Sequence, residues 1–153
     1  MLKFYRFFWV FTALAYFVAL MLSYAYLPER VGIQTDDEGV VNEFIDRETF
    51  FYFGVGIFIV VNLLGSILLS VLNGIPDSSG FYFRSEEFKE NITSWFSAFV
   101  AIINIFLICA VAYIAIFNNQ GASGSFQFNW LIYVAPLFFV INLVWLVMIM
   151  IRR

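Results

Sequence analysis

Three asparagines stand isolated in apolar surroundings, as Val61-Asn62-Leu63, Ile103-Asn104-Ile105 and Ile141-Asn142-Leu143. A primary amide placed in hydrocarbon is costly unless it is hydrogen-bonded, so each should turn toward another helix. As interhelical bonds such amides contribute about 0.6–2 kcal/mol each. Tyr16, also deep in an apolar run, needs a partner for its hydroxyl for the same reason. We therefore expect Asn62, Asn104, Asn142 and Tyr16 to form interhelical polar contacts. The other chemistry-bearing group is acidic. Glu29, Asp36, Asp37, Glu38, Glu43, Asp46 and Glu48 crowd one polar stretch against only Arg30 and Arg47, a net charge of −5. Glu29, Arg30, Asp36, Asp37, Glu38 and Glu43 are the candidate residues for docking a partner.

Several kinds of chemistry lack their residues. The chain has no histidine, which removes the commonest acid–base group near neutral pH and the commonest metal ligand. Cys109 is the single cysteine, so neither an internal disulfide nor a CxxC site can form. The three consecutive acids invite calcium. Their spacing does not match an EF-hand loop, which alternates oxygen ligands and closes with a glutamate at position twelve. We expect no catalytic residue, no metal and no cofactor.

The elements that position these residues are hydrophobic spans. Of 153 residues, 63% are hydrophobic, 22% aromatic and 12% charged. Charge is about a quarter of a soluble domain. A span needs roughly 20 apolar residues to cross a hydrocarbon core of about 30 Å. That rule predicts spans at Phe4–Leu27, Phe50–Leu72, Thr93–Phe117 and Trp130–Ile151. They should be helices, because open backbone cannot be satisfied in lipid, and runs such as Ile57-Phe58-Ile59-Val60-Val61 lack the alternation of a β-barrel. Lys3 and Arg6 precede the first run as in a secretory signal, but its apolar stretch is long and Ser23-Tyr24-Ala25-Tyr26 is bulky for a cleavage region. The expected fold is an all-α integral membrane protein of four transmembrane helices in one domain, 1–153.

Charge sets the expected orientation. Lys3, Arg6, Arg84, Lys89, Arg152 and Arg153 fall on one side of a four-span arrangement, and Arg30 and Arg47 on the other. The positive-inside rule then places both termini and the Gly74–Ile92 loop in the cytoplasm. Aromatic residues mark two boundaries, with Tyr24, Tyr26, Tyr52, Tyr113, Trp130 and Tyr133 outside and Tyr5, Trp9, Tyr82, Trp95 and Trp145 inside.

The loops carry local signals. Pro28 should stop the first helix. Val31–Thr35 and Val40–Phe44 suit short strands around an Asp36-Asp37-Glu38-Gly39 turn, predicting a small irregular hairpin on the outer face. Asp46 is placed to cap the second span and Ser85 to cap a helical turn through Glu86–Glu90. Phe81-Tyr82-Phe83 should dip into the inner interface. Asn118–Ser125 reads as a flexible outer connector. Ala15/Ala19, Ser66/Ser70 and Ser97/Ala101 are small-xxx-small pairs suited to close helix approach, and Pro136 should bend the fourth span.

The stretch Leu27-Pro28-Glu29-Arg30-Val31-Gly32-Ile33-Gln34, followed by Gly39 and by Asp46-Arg47-Glu48-Thr49-Phe50, resembles a bacterial membrane family. This is the domain-of-unknown-function family that includes the immunity proteins against the sporulation-delaying toxin. The family carries a Leu-Pro-x-x-(Ile/Val)-x-(Ile/Val)-His pattern between its first two spans, and the resemblance covers about residues 1–70. Gln34 stands where the family usually has histidine, so any chemistry of that histidine is not expected here. The resemblance implies a protein of the bacterial cytoplasmic membrane, with immunity or signalling roles in some relatives.

Three classes of function follow. The leading one is a non-catalytic multispan protein, an accessory subunit or immunity-like module. Its partners would be the bilayer and either a larger membrane protein or further copies of itself, with no nucleic acid. The second is a small transporter or channel whose path is lined by Asn62, Asn104, Asn142 and Tyr16. Transport usually demands ionisable groups or broken helices at mid-depth, and only Pro136 hints at a break. The third is a membrane-embedded enzyme using Asp36, Asp37 and Glu38, which have no histidine, cysteine or lysine beside them for general acid–base work.

Overall fold

The computed structural model describes residues 2–35, 41–76, 85–125 and 130–151. Four helices follow in order: α1 Leu2–Tyr26, α2 Arg47–Gly74, α3 Glu86–Ser125 and α4 Leu131–Ile151. Between α1 and α2 lie two antiparallel strands, β1 Arg30–Thr35 and β2 Val41–Asp46. Leu2–Tyr26, Arg47–Gly74 and Glu86–Asn119 are long and apolar enough to cross a membrane. In α4 the apolar stretch Pro136–Ile151 is shorter.

Helix faces follow from the spacing of buried residues. On α1 these are Trp9, Thr12, Tyr16, Leu20 and Ser23, a stripe at intervals of three and four. On α2 they are Phe50, Gly54, Gly65 and Leu69. The remaining surface of each helix is largely apolar and exposed, including Phe7, Phe11, Leu14 and Val18 on α1 and Leu63, Leu64, Ile67 and Leu68 on α2. In water such a surface would be a severe liability, whereas lipid solvates it at no cost.

α3 is the central helix. It packs most extensively along α1, then along α4, with a smaller contact to α2. One end of the bundle gathers the start of α1, the end of α2 and the start of α3. Arg6 donates to Asn73 Oδ1 at 3.1 Å, and Lys89 Nζ donates to the carbonyls of Asn73 and Ile75 at 3.2 and 2.6 Å. Lys89 thus occupies carbonyls that the end of α2 leaves without helical donors. The Tyr5 ring lies 5.0 Å from that of Trp145, which brings the second half of α4 to the same end.

Several local expectations meet corrections. α2 begins at Arg47 after Asp46, but Asp46 makes no side-chain cap bond; the Arg47 N–H instead donates to Glu29 C=O at 2.9 Å. Ser85 does cap α3, accepting from the Phe88 N–H at 3.1 Å. The expected connector Asn118–Ser125 is helical and extends α3 well past Phe117. Neither proline nor like-charge repulsion interrupts that stretch, and a helical glycine costs only about 1 kcal/mol. Ser66 and Ser70 lie on exposed positions, whereas Ser97 and Ala101 are wholly buried. Ser66 therefore bonds back to Asn62 C=O at 2.8 Å instead of admitting a neighbouring helix. The turn Asp36-Asp37-Glu38-Gly39, the segment Phe81-Tyr82-Phe83 with Arg84, and Arg152 and Arg153 lie outside the described residues.

Candidate functional site: a polar tie in the helices and a clamped hairpin

The first polar centre lies midway along α2 and α3. Asn62 and Asn104 form a reciprocal amide pair, each Nδ2 donating to the other's Oδ1 at 3.1 Å. Asn62 Oδ1 also accepts from Trp9 Nε1 at 2.8 Å, and Asn62 Nδ2 reaches the Phe58 carbonyl at 2.9 Å. One amide therefore joins α1, α2 and α3. Asn104 is wholly buried. Trp9, an interfacial ring at the inner boundary by its place in the sequence, is instead buried, and its indole N–H belongs to this network. A signal for that role was present in the spacing, because Trp9, Thr12 and Tyr16 share one face of α1.

One face-length further along α1, the Tyr16 hydroxyl donates to the Gly54 carbonyl at 3.0 Å. The contact needs a glycine. A Cβ at position 54 would lie 2.8 Å from Leu20 Cδ1 and 3.1 Å from the Tyr16 hydroxyl oxygen. Tyr16 also stacks on Phe58, with ring centroids 5.3 Å apart. Tyr16, Leu20, Leu27, Val31, Phe50 and Val111 make one core cluster that runs from the helices into β1.

Asn142 is not part of the amide pair. It is 3% exposed, yet its Oδ1 has no hydrogen-bond partner among the described residues. Its main-chain carbonyl accepts from Trp95 Nε1 at 2.9 Å, which ties α4 to α3. Similar depth along the helices did not bring the three amides together, because α4 packs on α3 away from α2.

The second polar centre is the hairpin at the other end of the bundle. Val31 pairs with Ile45 and Gly32 with Phe44, and register shifts on either side of Gln34 make the ladder irregular. Gly32 is gripped from outside by α3. Its N–H donates to Asn118 Oδ1 at 2.7 Å, and its carbonyl accepts from Asn118 Nδ2 at 3.0 Å. A third Asn118 bond, from Nδ2 to the Ile114 carbonyl at 2.9 Å, fixes the amide on its helix. There is no room for a side chain at position 32, where a Cβ would meet Val41 Cγ1 at 2.6 Å. Arg47 closes the hairpin's base, with Nη1 donating to the Leu27 carbonyl at 3.3 Å and the guanidinium 4.9 Å over the Tyr24 ring.

Of the docking candidates, Glu29, Arg30 and Glu43 are described and exposed on this hairpin. Glu29 contributes its carbonyl to the turn into α2 and leaves its carboxylate outward. Asp36, Asp37 and Glu38 fall outside the described residues. Among the described residues no group of three or more histidine, cysteine or acidic side chains is placed to hold a metal ion. By sequence alone Asn118 belongs to a connector. Its role depends on a strand pairing distant in sequence, so only the α3 extension reveals it. No protein-family model, curated protein or solved structure matches this chain.

Proposed function

We propose that this chain is a non-catalytic, four-span membrane protein that works through contacts made by its acidic hairpin, as an accessory subunit or immunity-like module of a membrane complex. The observation carrying this reading is the Asn118–Gly32 clamp. It ties the hairpin to the central helix, so that exposed acids are presented on a held surface instead of a free loop. A held surface loses less entropy on binding. The polar groups in the helices support the same reading, because Asn62 and Asn104 spend their amides on each other rather than on a path.

The charge distribution supports a bacterial cytoplasmic membrane orientation with both termini inside, with α4 as the fourth span. The Leu27–Gln34 pattern supports kinship with the family that includes the immunity proteins against the sporulation-delaying toxin. Purification in mild detergent tests the function. A larger protein should copurify in stoichiometric amount, and Glu29→Gln with Glu43→Gln and Asp46→Asn should release it. A clean monomer, or a partner indifferent to those changes, overturns the proposal.

A further inference from the structure

We propose that the outer edge of β2 takes an extended, basic peptide segment as a third strand. The inference rests on the hairpin being the docking surface and adds the chemistry and binding mode of what docks. In an antiparallel ladder, paired residues point their main-chain groups either both toward or both away from each other. Gly32 directs its N–H and C=O to Asn118, away from β2. Its pair Phe44 must then direct its own N–H and C=O away from β1. The two edges are thus treated differently. Along β1, α3 supplies Asn118, and it packs against this strand. Along β2, Asn42, Glu43, Phe44 and Asp46 are all exposed.

Among the described residues no hydrogen bond covers this edge, and such an edge is a template for another strand, with main-chain bonds giving affinity and side chains giving selectivity. Charge selects the occupant. Glu43 and Asp46 are exposed on β2, Glu48 follows in the first turn of α2, and the whole segment from Pro28 to Thr49 carries a net −5. A second copy of the same hairpin would set −5 against −5. A lysine- or arginine-bearing strand is attracted instead, and exposed Phe44 gives it an apolar contact.

The test uses the full chain in detergent and a short synthetic peptide alternating lysine with valine, followed by fluorescence anisotropy. Two comparison peptides are the same sequence N-methylated on alternate amides, which keeps the charge and removes the strand donors, and a version with glutamate for lysine. The basic peptide should bind. N-methylation should weaken it at least about tenfold, the loss of roughly one or two strand hydrogen bonds. The glutamate peptide should not bind. Phe44→Ala removes the apolar contact alone, whereas Phe44→Pro also removes an outward N–H without touching the β1–β2 ladder, so the proline should weaken binding further than the alanine does.

Equal binding of the methylated and unmethylated peptides overturns edge pairing while leaving docking by charge intact. No binding of the basic peptide, or equal binding of the glutamate peptide, also overturns the proposal. So does a fall in particle mass on Phe44→Pro, because the edge would then already hold a second copy. Loss of the copurified partner on acid neutralisation is read separately and decides the broader function.

Discussion

Asn118 of α3 holds Gly32 of β1 by both main-chain groups at once, accepting at 2.7 Å and donating at 3.0 Å. A side-chain amide has the donor and acceptor of a peptide group, so Asn118 stands where a neighbouring strand would. The consequence is mechanical. A two-stranded hairpin is marginal by itself, and here it is anchored below by Val31 in the helical core and at its edge by Asn118.

Breaking that anchor should loosen the hairpin without unfolding the helices. Asn118→Leu removes both bonds and strands the Gly32 groups without a designed partner. Amide exchange across β1 and β2 should quicken at least about tenfold, a cost of 1.4 kcal/mol or more. Exchange in the centres of α1 and α3 should stay unchanged. Equal quickening in the helices would show that the hairpin and the bundle open as one unit.

Gly32→Ala should act on the same element by steric means. The added Cβ would sit 2.6 Å from Val41 Cγ1 on the paired strand. Val41 must turn or β2 must shift, and the pairing beyond Gly32 is already irregular. Protease cleavage within the hairpin should increase, while the far-ultraviolet helical signal is kept. Unaltered cleavage would mean that Val41 rotates freely out of the way.

The coupling between Asn62 and Asn104 is measurable by a double-mutant cycle in mixed detergent micelles. Either leucine substitution alone leaves the opposite amide short of a partner, and Asn62→Leu also frees the Trp9 indole. Each single change should cost about 1–3 kcal/mol, and the double change less than their sum, with a coupling of roughly 0.6–2 kcal/mol. Trp9 emission should shift with Asn62→Leu and move little with Asn104→Leu. Simple additivity would deny the pair its role as a tie.

Much of this was readable in the sequence, for physical reasons. Long charge-free runs have few folds open to them, so the helices and the strands between Pro28 and Arg47 follow from composition and turn chemistry. The need of Asn62, Asn104 and Tyr16 for partners follows from the cost of a bare amide or hydroxyl among apolar groups. Which partner each finds does not. Trp9 resembles any boundary tryptophan until helix rotation turns it toward Asn62, and Asn118 resembles a linker residue until β1 arrives beside it. The extension of α3 is not legible in the sequence, because Gly121 and Gly124 look like linker residues yet each costs a helix only about 1 kcal/mol.

Asn142 should behave opposite to its two counterparts. Its Oδ1 is buried and has no partner among the described residues, so the native side chain bears a desolvation cost there that no described bond offsets. Its contribution to joining α3 and α4 comes from the main-chain carbonyl that receives Trp95 Nε1, and that group survives any side-chain change. Asn142→Leu therefore removes an unsatisfied atom and keeps the tie. Stability in the micelle titration should be unchanged or higher by about 1 kcal/mol, against the loss expected from Asn104→Leu. Trp95→Phe, which does delete the bond, should lower stability by roughly 1 kcal/mol. A large loss on Asn142→Leu would instead identify the amide as a working group whose partner, a water or a ligand, matters to the fold.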